Sequence, residues 1–152
     1  MQPSPKLRVA AVQCPILWNE PEANLHYIEE QLRGQGTADL LVFPETILTG
    51  FSATAADYAD REGRQLEEFS RLARHYGKAI AGSLLATFEG QLYNAFFLID
   101  EEGQVQLQPK RHLFAPGGER GYVQPATERR ILSYRGWRIL PLVCYDLRFP
   151  VW

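Results

Sequence analysis

The sequence predicts an α/β fold built on a mixed sheet. Over the first 80 or so residues, short apolar runs alternate with amphipathic segments, the order of strand–helix–strand units. After that, β-rich runs follow one another across glycine turns, as antiparallel neighbours do. No internal repeat, low-complexity segment or linker divides the chain, so the 152 residues read as one domain.

The elements follow in order. "KLRVAAVQ" (Lys6–Gln13), bounded by Pro5 and Pro15, reads as a strand. From Asn19 to Arg33 the apolar residues Ala23, Leu25, Ile28 and Leu32 fall near helical spacing. Asn19 is suited to cap that helix, Pro21 fits its first turn and Gly34 ends it. "DLLVFPE" is an apolar run closed by a proline, the pattern of a strand buried on both faces. "TGFSATAADYAD" has turn residues and no clean period. Leu66, Phe69, Leu72, Ala73 and Tyr76 then form a helical stripe stopped by Gly77. "KAIAGSLLATF", "QLYNAFFLID" and "VQLQP" read as successive strands separated at Gly90 and at the "DEEG" turn of 100–103. A Gly/Pro-rich loop runs from Pro109 to about Pro125, and "RRILSY" and "WRILPLV" flank an Arg135–Gly136 turn.

Composition narrows the function classes. Sixteen basic and eighteen acidic residues give a formal charge of -2 with no block of either sign. That excludes the usual footprint of a nucleic-acid surface or a polybasic membrane anchor. No apolar run reaches the roughly 20 residues that span a bilayer, and the N-terminus lacks the layout of a signal peptide. Only Cys14 and Cys144 are present, so the expectation is a cytoplasmic protein with reduced thiols and no disulfide framework. His26, His75 and His112 show no ligand spacing, which leaves a metal site without support.

Several side chains that can do chemistry stand just beyond strand-like runs. Cys144 follows "PLV", where a sharp turn can lift a thiol out of a sheet, although a buried structural cysteine fits as well. Glu45 follows "LLVFP", a place for a general base or for an exposed loop acid. Lys110 follows "QLQP", where an ammonium can face a developing oxyanion or simply be solvated. Glu119 sits in the glycine-rich "APGGERGY" loop, over a site or in solvent. A Cys144–His112 dyad is also open, although no cysteine-protease signature surrounds the cysteine. Catalytic groups in α/β sheets collect at such strand ends.

"FPET…TGF", "PKRHLF" and "LVCYDLRFP" resemble the three signature regions of the carbon-nitrogen hydrolase (nitrilase) superfamily. The resemblance extends over essentially the whole chain, and the "KRHLF" and "CYDLRFPVW" segments are most similar to the omega-amidase subgroup. It implies a catalytic triad of Glu45, Lys110 and Cys144, supported by Glu119, with the backbone N–H of Tyr145 helping to hold the oxyanion. The family usually has histidine after that second glutamate, and Arg120 stands here instead. The implied reaction is hydrolysis of the terminal amide of a small dicarboxylic acid monoamide, such as 2-oxoglutaramate, through a cysteine thioester. It calls for no cofactor and no metal. The substrate's free carboxylate needs a cation, for which Arg148 and Arg111 are the candidates; Arg148 equally suits a structural anchor for the turn.

The resemblance also implies a four-layer α-β-β-α sandwich that pairs into a homodimer in the full-length family member. Residues 1–152 correspond to its N-terminal part, truncated after the nucleophile segment, so that the C-terminal half is missing. Two expectations of different class follow: an omega-amidase-like hydrolase, or a truncated chain that carries the triad without a working site.

Overall fold

The computed structural model describes residues 6–34, 36–52 and 54–152. Pro5, the upstream boundary of the first predicted strand, and Ala53, within the irregular segment, lie outside them. The architecture is α/β. Strands β1 (Val9–Ala11), β2 (Leu40–Val42), β3 (Ala79–Phe88), β4 (Gln91–Ile99) and β5 (Val105–Pro109) form one sheet in sequence order. β1, β2 and β3 run parallel, while β4 and β5 add as antiparallel neighbours, which makes the sheet mixed as the element order predicts.

The two parallel crossovers are α1 (Pro21–Gly34) and α2 (Arg64–Tyr76). Both pack on the same face, where Ile28, Leu32, Phe69 and Leu72 meet Leu41, Ile80, Leu84, Phe97 and Ile99. Side chains alternate across the pleat, so Leu40, Ala79, Ala81 and Leu98 point to the opposite face. There they are covered by Leu132 and Tyr134 of a hairpin formed by β6 (Leu132–Tyr134) and β7 (Trp137–Ile139). Arg135 and Gly136, both at positive φ (48° and 82°), make its two-residue turn. The described residues thus stack as helices, sheet and hairpin, with no second helical layer among them. No helix among them is long and apolar enough to cross a membrane.

Local chemistry explains the element ends and corrects several sequence expectations. Asn19 does not cap α1: it adopts φ 60° and turns its side chain to Ser52 and Thr54, 2.7 and 2.9 Å away. Glu20 supplies the first carbonyl instead, accepting from Asn24 N–H. The buried stripe of α1 uses Asn24 rather than Ala23, because the Asn24 amide pins the backbone of Leu17 and Leu48. The start of α2 is held by Asp60, whose carboxylate accepts from Leu66 N–H at 2.9 Å, and Gly77 closes it in the left-handed region. The predicted "WRILPLV" strand ends at Ile139. Pro141 has no N–H to give a ladder, and residues 140–143 continue as irregular chain toward Cys144.

Candidate active site

One end of the sheet gathers the polar residues. Glu45 lies three residues past β2, Lys110 directly past β5, and Asn94 sits near the start of β4, which runs the other way. The backbone locks these neighbours together, since Lys110 N–H donates to Asn94 O at 2.8 Å and Ile47 N–H to Ser83 O at 3.0 Å. Thr46, the residue after Glu45, is held at φ 45°. For a β-branched residue that is a strained backbone, and it bends the chain so that Glu45 turns back over the strand ends.

Three of the sequence candidates form one ionic cluster. Lys110 Nζ donates to Glu45 Oε1 at 2.7 Å and to Glu119 Oε2 at 2.8 Å. The Lys110 and Glu119 side chains have no exposed surface, and that of Glu45 is 19% exposed. Both loop residues are therefore buried parts of the cluster, not solvated charges. Burial alone pulls the Lys110 pKa down, but the hydrogen bonds and charges of Glu119 and Glu45 outweigh it and hold the ammonium above its ordinary value. Glu119 is further fixed by Phe114 N–H at 2.7 Å, which ties the glycine-rich loop across the site.

Cys144 opens a helical turn spanning Cys144–Arg148 and adopts φ 46°. This is a sharp, strained elbow, and Cys144 is an exposed residue on it. It lines a cleft of about 120 Å³ together with Glu45, Ser83, Phe96 and Val143. Partial burial pushes the thiol pKa up and the Glu45 carboxylate pushes it further, with Lys110 pulling the other way. A resting thiol beside a carboxylate is an arrangement in which the base takes the proton at the moment of attack. Tyr145 is the second residue of the turn, where a backbone N–H has no partner within the turn.

His112 does not pair with Cys144. Its Nδ1 lies 2.9 Å from Asp146 Oδ1, and its ring stacks on Phe149 at 3.8 Å. Asp146 also accepts from the backbone N–H of His112 and of Val143, at 2.8 and 3.1 Å, and so fastens the elbow to the loop that follows Lys110. The proposed cations fall differently as well. Arg111 lines a larger cleft of about 510 Å³ with Arg120, Tyr145 and Phe149, while its Nη1 donates to Ala126 O at 2.6 Å. Arg148 is exposed and lines neither cleft. Among the described residues, no group of three or more His, Cys, Asp or Glu side chains has an arrangement that could hold a metal ion.

Three participants escaped sequence reasoning: Ser83, Asn94 and Asp146. Asn94 Nδ2 donates to Glu45 Oε1 at 2.7 Å and to Glu119 Oε1 at 2.8 Å, and Ser83 Oγ donates to Asn94 Oδ1 at 2.9 Å. The available signal was a polar residue inside each of two apolar strands, "AGSLLA" and "YNAFF". Such residues are buried only with partners.

Comparison with known proteins gives the family. Residues 8–151 match the family model "Carbon-nitrogen hydrolase". The chain is 38% identical over 148 residues to the omega-amidase YafV of Escherichia coli K12, covering 97% of this chain and 58% of that protein. It is 30% identical over 152 residues to the 2-oxoglutaramate amidase of Bacillus subtilis, covering 97% of this chain and 59% of that one. The crystal structure of XC1258 from Xanthomonas campestris, a CN-hydrolase superfamily protein with an arsenic adduct in its active site, superposes with a TM-score of 0.89 at 37% identity. That match covers 95% of this chain and 56% of XC1258. The chain thus spans little more than half the length of these relatives, and over that span it belongs to the carbon-nitrogen hydrolase family.

Proposed function

We propose that the site hydrolyses the terminal amide of a short monoamide carboxylic acid, of which 2-oxoglutaramate is the reference substrate. The observation that carries this reading is the convergence of Glu45, Lys110 and Glu119 beside a cysteine held at φ 46°. The activities for which the YafV and Bacillus subtilis relatives are named support this substrate class.

Glu45 accepts the Cys144 proton as sulfur attacks the amide carbonyl carbon. Negative charge then grows on the carbonyl oxygen, where the Tyr145 N–H and the Lys110 ammonium oppose it. An ammonium has three N–H donors; two of Lys110's are spent on Glu45 and Glu119, and the third is left for the oxyanion. Collapse of the tetrahedral species breaks the C–N bond, and Glu45 returns its proton to the departing ammonia. Water, deprotonated by the same carboxylate, attacks the thioester carbonyl, releases the carboxylic acid and restores the thiol. Glu119 keeps Lys110 charged and in place throughout.

The experiment is ammonia release from 2-oxoglutaramate and from glutaramate by the 152-residue chain and by Cys144→Ala, with mass spectrometry of the protein during turnover. Turnover that Cys144→Ala abolishes, with an acyl adduct on the Cys144 peptide, is expected. Amidase activity that survives Cys144→Ala sinks the assignment.

A further inference from the structure

The amide of Asn94 has a direction, and its neighbours set it. Thr46 N–H donates to Ser83 Oγ at 2.9 Å, and a main-chain N–H can only donate. Ser83 accepts there and donates its own proton to Asn94 Oδ1 at 2.9 Å. With its oxygen committed, Asn94 can present only its NH₂ to the two carboxylates, Glu45 Oε1 at 2.7 Å and Glu119 Oε1 at 2.8 Å. The reverse orientation would set a carbonyl oxygen against two anions. Ser83 and Asn94 are 2% and 0% exposed, so water does not compete for these bonds. The relay begins at the residue after Glu45 and ends on the Glu45 side chain, which makes it a closed loop around the base.

Its effect on Glu45 is asymmetric. Oε1 receives both nitrogen donors, Asn94 Nδ2 and Lys110 Nζ, at 2.7 Å each. Oε2 receives neither. We propose that Ser83 and Asn94 are positioning residues that, with Lys110, saturate Oε1 and leave Oε2 of Glu45 as the atom that exchanges a proton with Cys144. This rests on the reading of Glu45 as the base and assigns the oxygen it uses and the residues that select it. The other titratable groups around the carboxylate are Lys110 from the β5 exit, Glu119 and Tyr122 from the glycine-rich loop, and Cys144 from the elbow.

The test does not need turnover. The rate of Cys144 alkylation by iodoacetamide is followed against pH in the 152-residue chain, with peptide mass spectrometry separating Cys144 from Cys14. In that reaction the sulfur–carbon bond forms, iodide leaves and the thiol proton passes to the base. Glu45→Gln should remove the base-dependent limb of the profile. Ser83→Ala changes no charge, yet it leaves the Asn94 carbonyl oxygen without its donor and loosens the amide's hold on Glu45 Oε1. That disfavours the carboxylate and slows alkylation by about three- to tenfold. Ser83→Thr keeps the hydroxyl and should restore the parent profile.

A folded Ser83→Ala protein with the parent profile, alongside a Glu45→Gln protein that differs, overturns the relay while leaving the base in place. A Glu45→Gln protein with the parent profile overturns both. Should Ser83→Ala not fold, the side-chain amide protons of Asn94 in the unsubstituted chain decide by nuclear magnetic resonance. Downfield positions, as for N–H donors held by two carboxylates, are expected, and ordinary positions overturn the relay.

Discussion

Lys110 and Glu119 form an ion pair at 2.8 Å in which neither side chain has any exposed surface. Glu45, the third member, has its own Oε1 2.7 Å from the same ammonium. Removing the cation leaves two carboxylates together in a desolvated place. Lys110→Met should therefore cost about 3–5 kcal/mol of stability, the usual penalty for breaking a buried pair. The double variant Lys110→Met/Glu119→Gln should recover part of that loss, since it discards one of the uncompensated charges. Urea unfolding at neutral pH measures both, and a Lys110→Met protein as stable as the parent would contradict the buried cluster.

The elbow at Cys144 stores backbone strain at φ 46°. Cysteine and alanine share the same clash there, and glycine does not. Cys144→Gly should accordingly be more stable than Cys144→Ala by about 1–2 kcal/mol, although neither can form a thioester. Equal unfolding free energies for the two would mean that the elbow is relaxed. The comparison isolates strain from chemistry because both variants lack the sulfur.

At the opposite end of the sheet, Asp39 binds Arg8 at 2.9 Å and Arg135 at 2.7 Å, and Arg135 reaches Glu101 at 2.7 Å. The side-chain and backbone donors of Arg8 hold the Asp39 carboxyl well below the usual carboxylate range. A folded-state value below the unfolded one contributes stability that is complete above the unfolded value of about 4 and is lost as pH falls below it. The stability gap between the parent and Asp39→Asn should thus be constant from pH 7 to 5 and close steadily toward pH 2. A gap independent of pH over that range would rule the linkage out.

Under the proposed reaction, the substrate's free carboxylate is the test that separates Arg111 from Arg148. Arg111 lines the larger cleft beside Tyr145, and Arg148 lines neither. Arg111→Met should raise KM for 2-oxoglutaramate about tenfold or more, the cost of a lost charge-assisted hydrogen bond of about 1.5–3 kcal/mol, and leave KM for a neutral amide nearly unchanged. Arg148→Met should alter neither. The opposite pattern would return the role to Arg148.

Where sequence reasoning succeeded and failed follows the range of the forces involved. α2 was legible because Phe69, Leu72 and Ala73 repeat at helical spacing and Gly77 takes the left-handed stop. The β3–β4–β5 run was legible because its turns carry glycines at positive φ, Gly90 and Gly103. "WRILPLV" failed as a full strand because its apolar run outlasts its hydrogen-bonding capacity at Pro141. Asn19 failed as a cap because its partners, Ser52 and Thr54, lie more than thirty residues away.

The linear chain was enough to establish the α/β class, the order of its strands and helices, and Glu45, Lys110 and Cys144 as separate reactive groups in a recognisable local context. Those properties depend on side-chain periodicity, turn chemistry and short motifs, all of which are local. The tertiary structure alone decided that Glu119 is buried against Lys110, that His112 pairs with Asp146, and that Ser83 and Asn94 are hydrogen-bonded in series to Glu45. Each of these is a hydrogen bond or ion pair between side chains brought together by pairing of β3, β4 and β5 or by a loop folding over their ends. A donor finds its acceptor there through strand register and burial, neither of which is written in the spacing of the residues themselves.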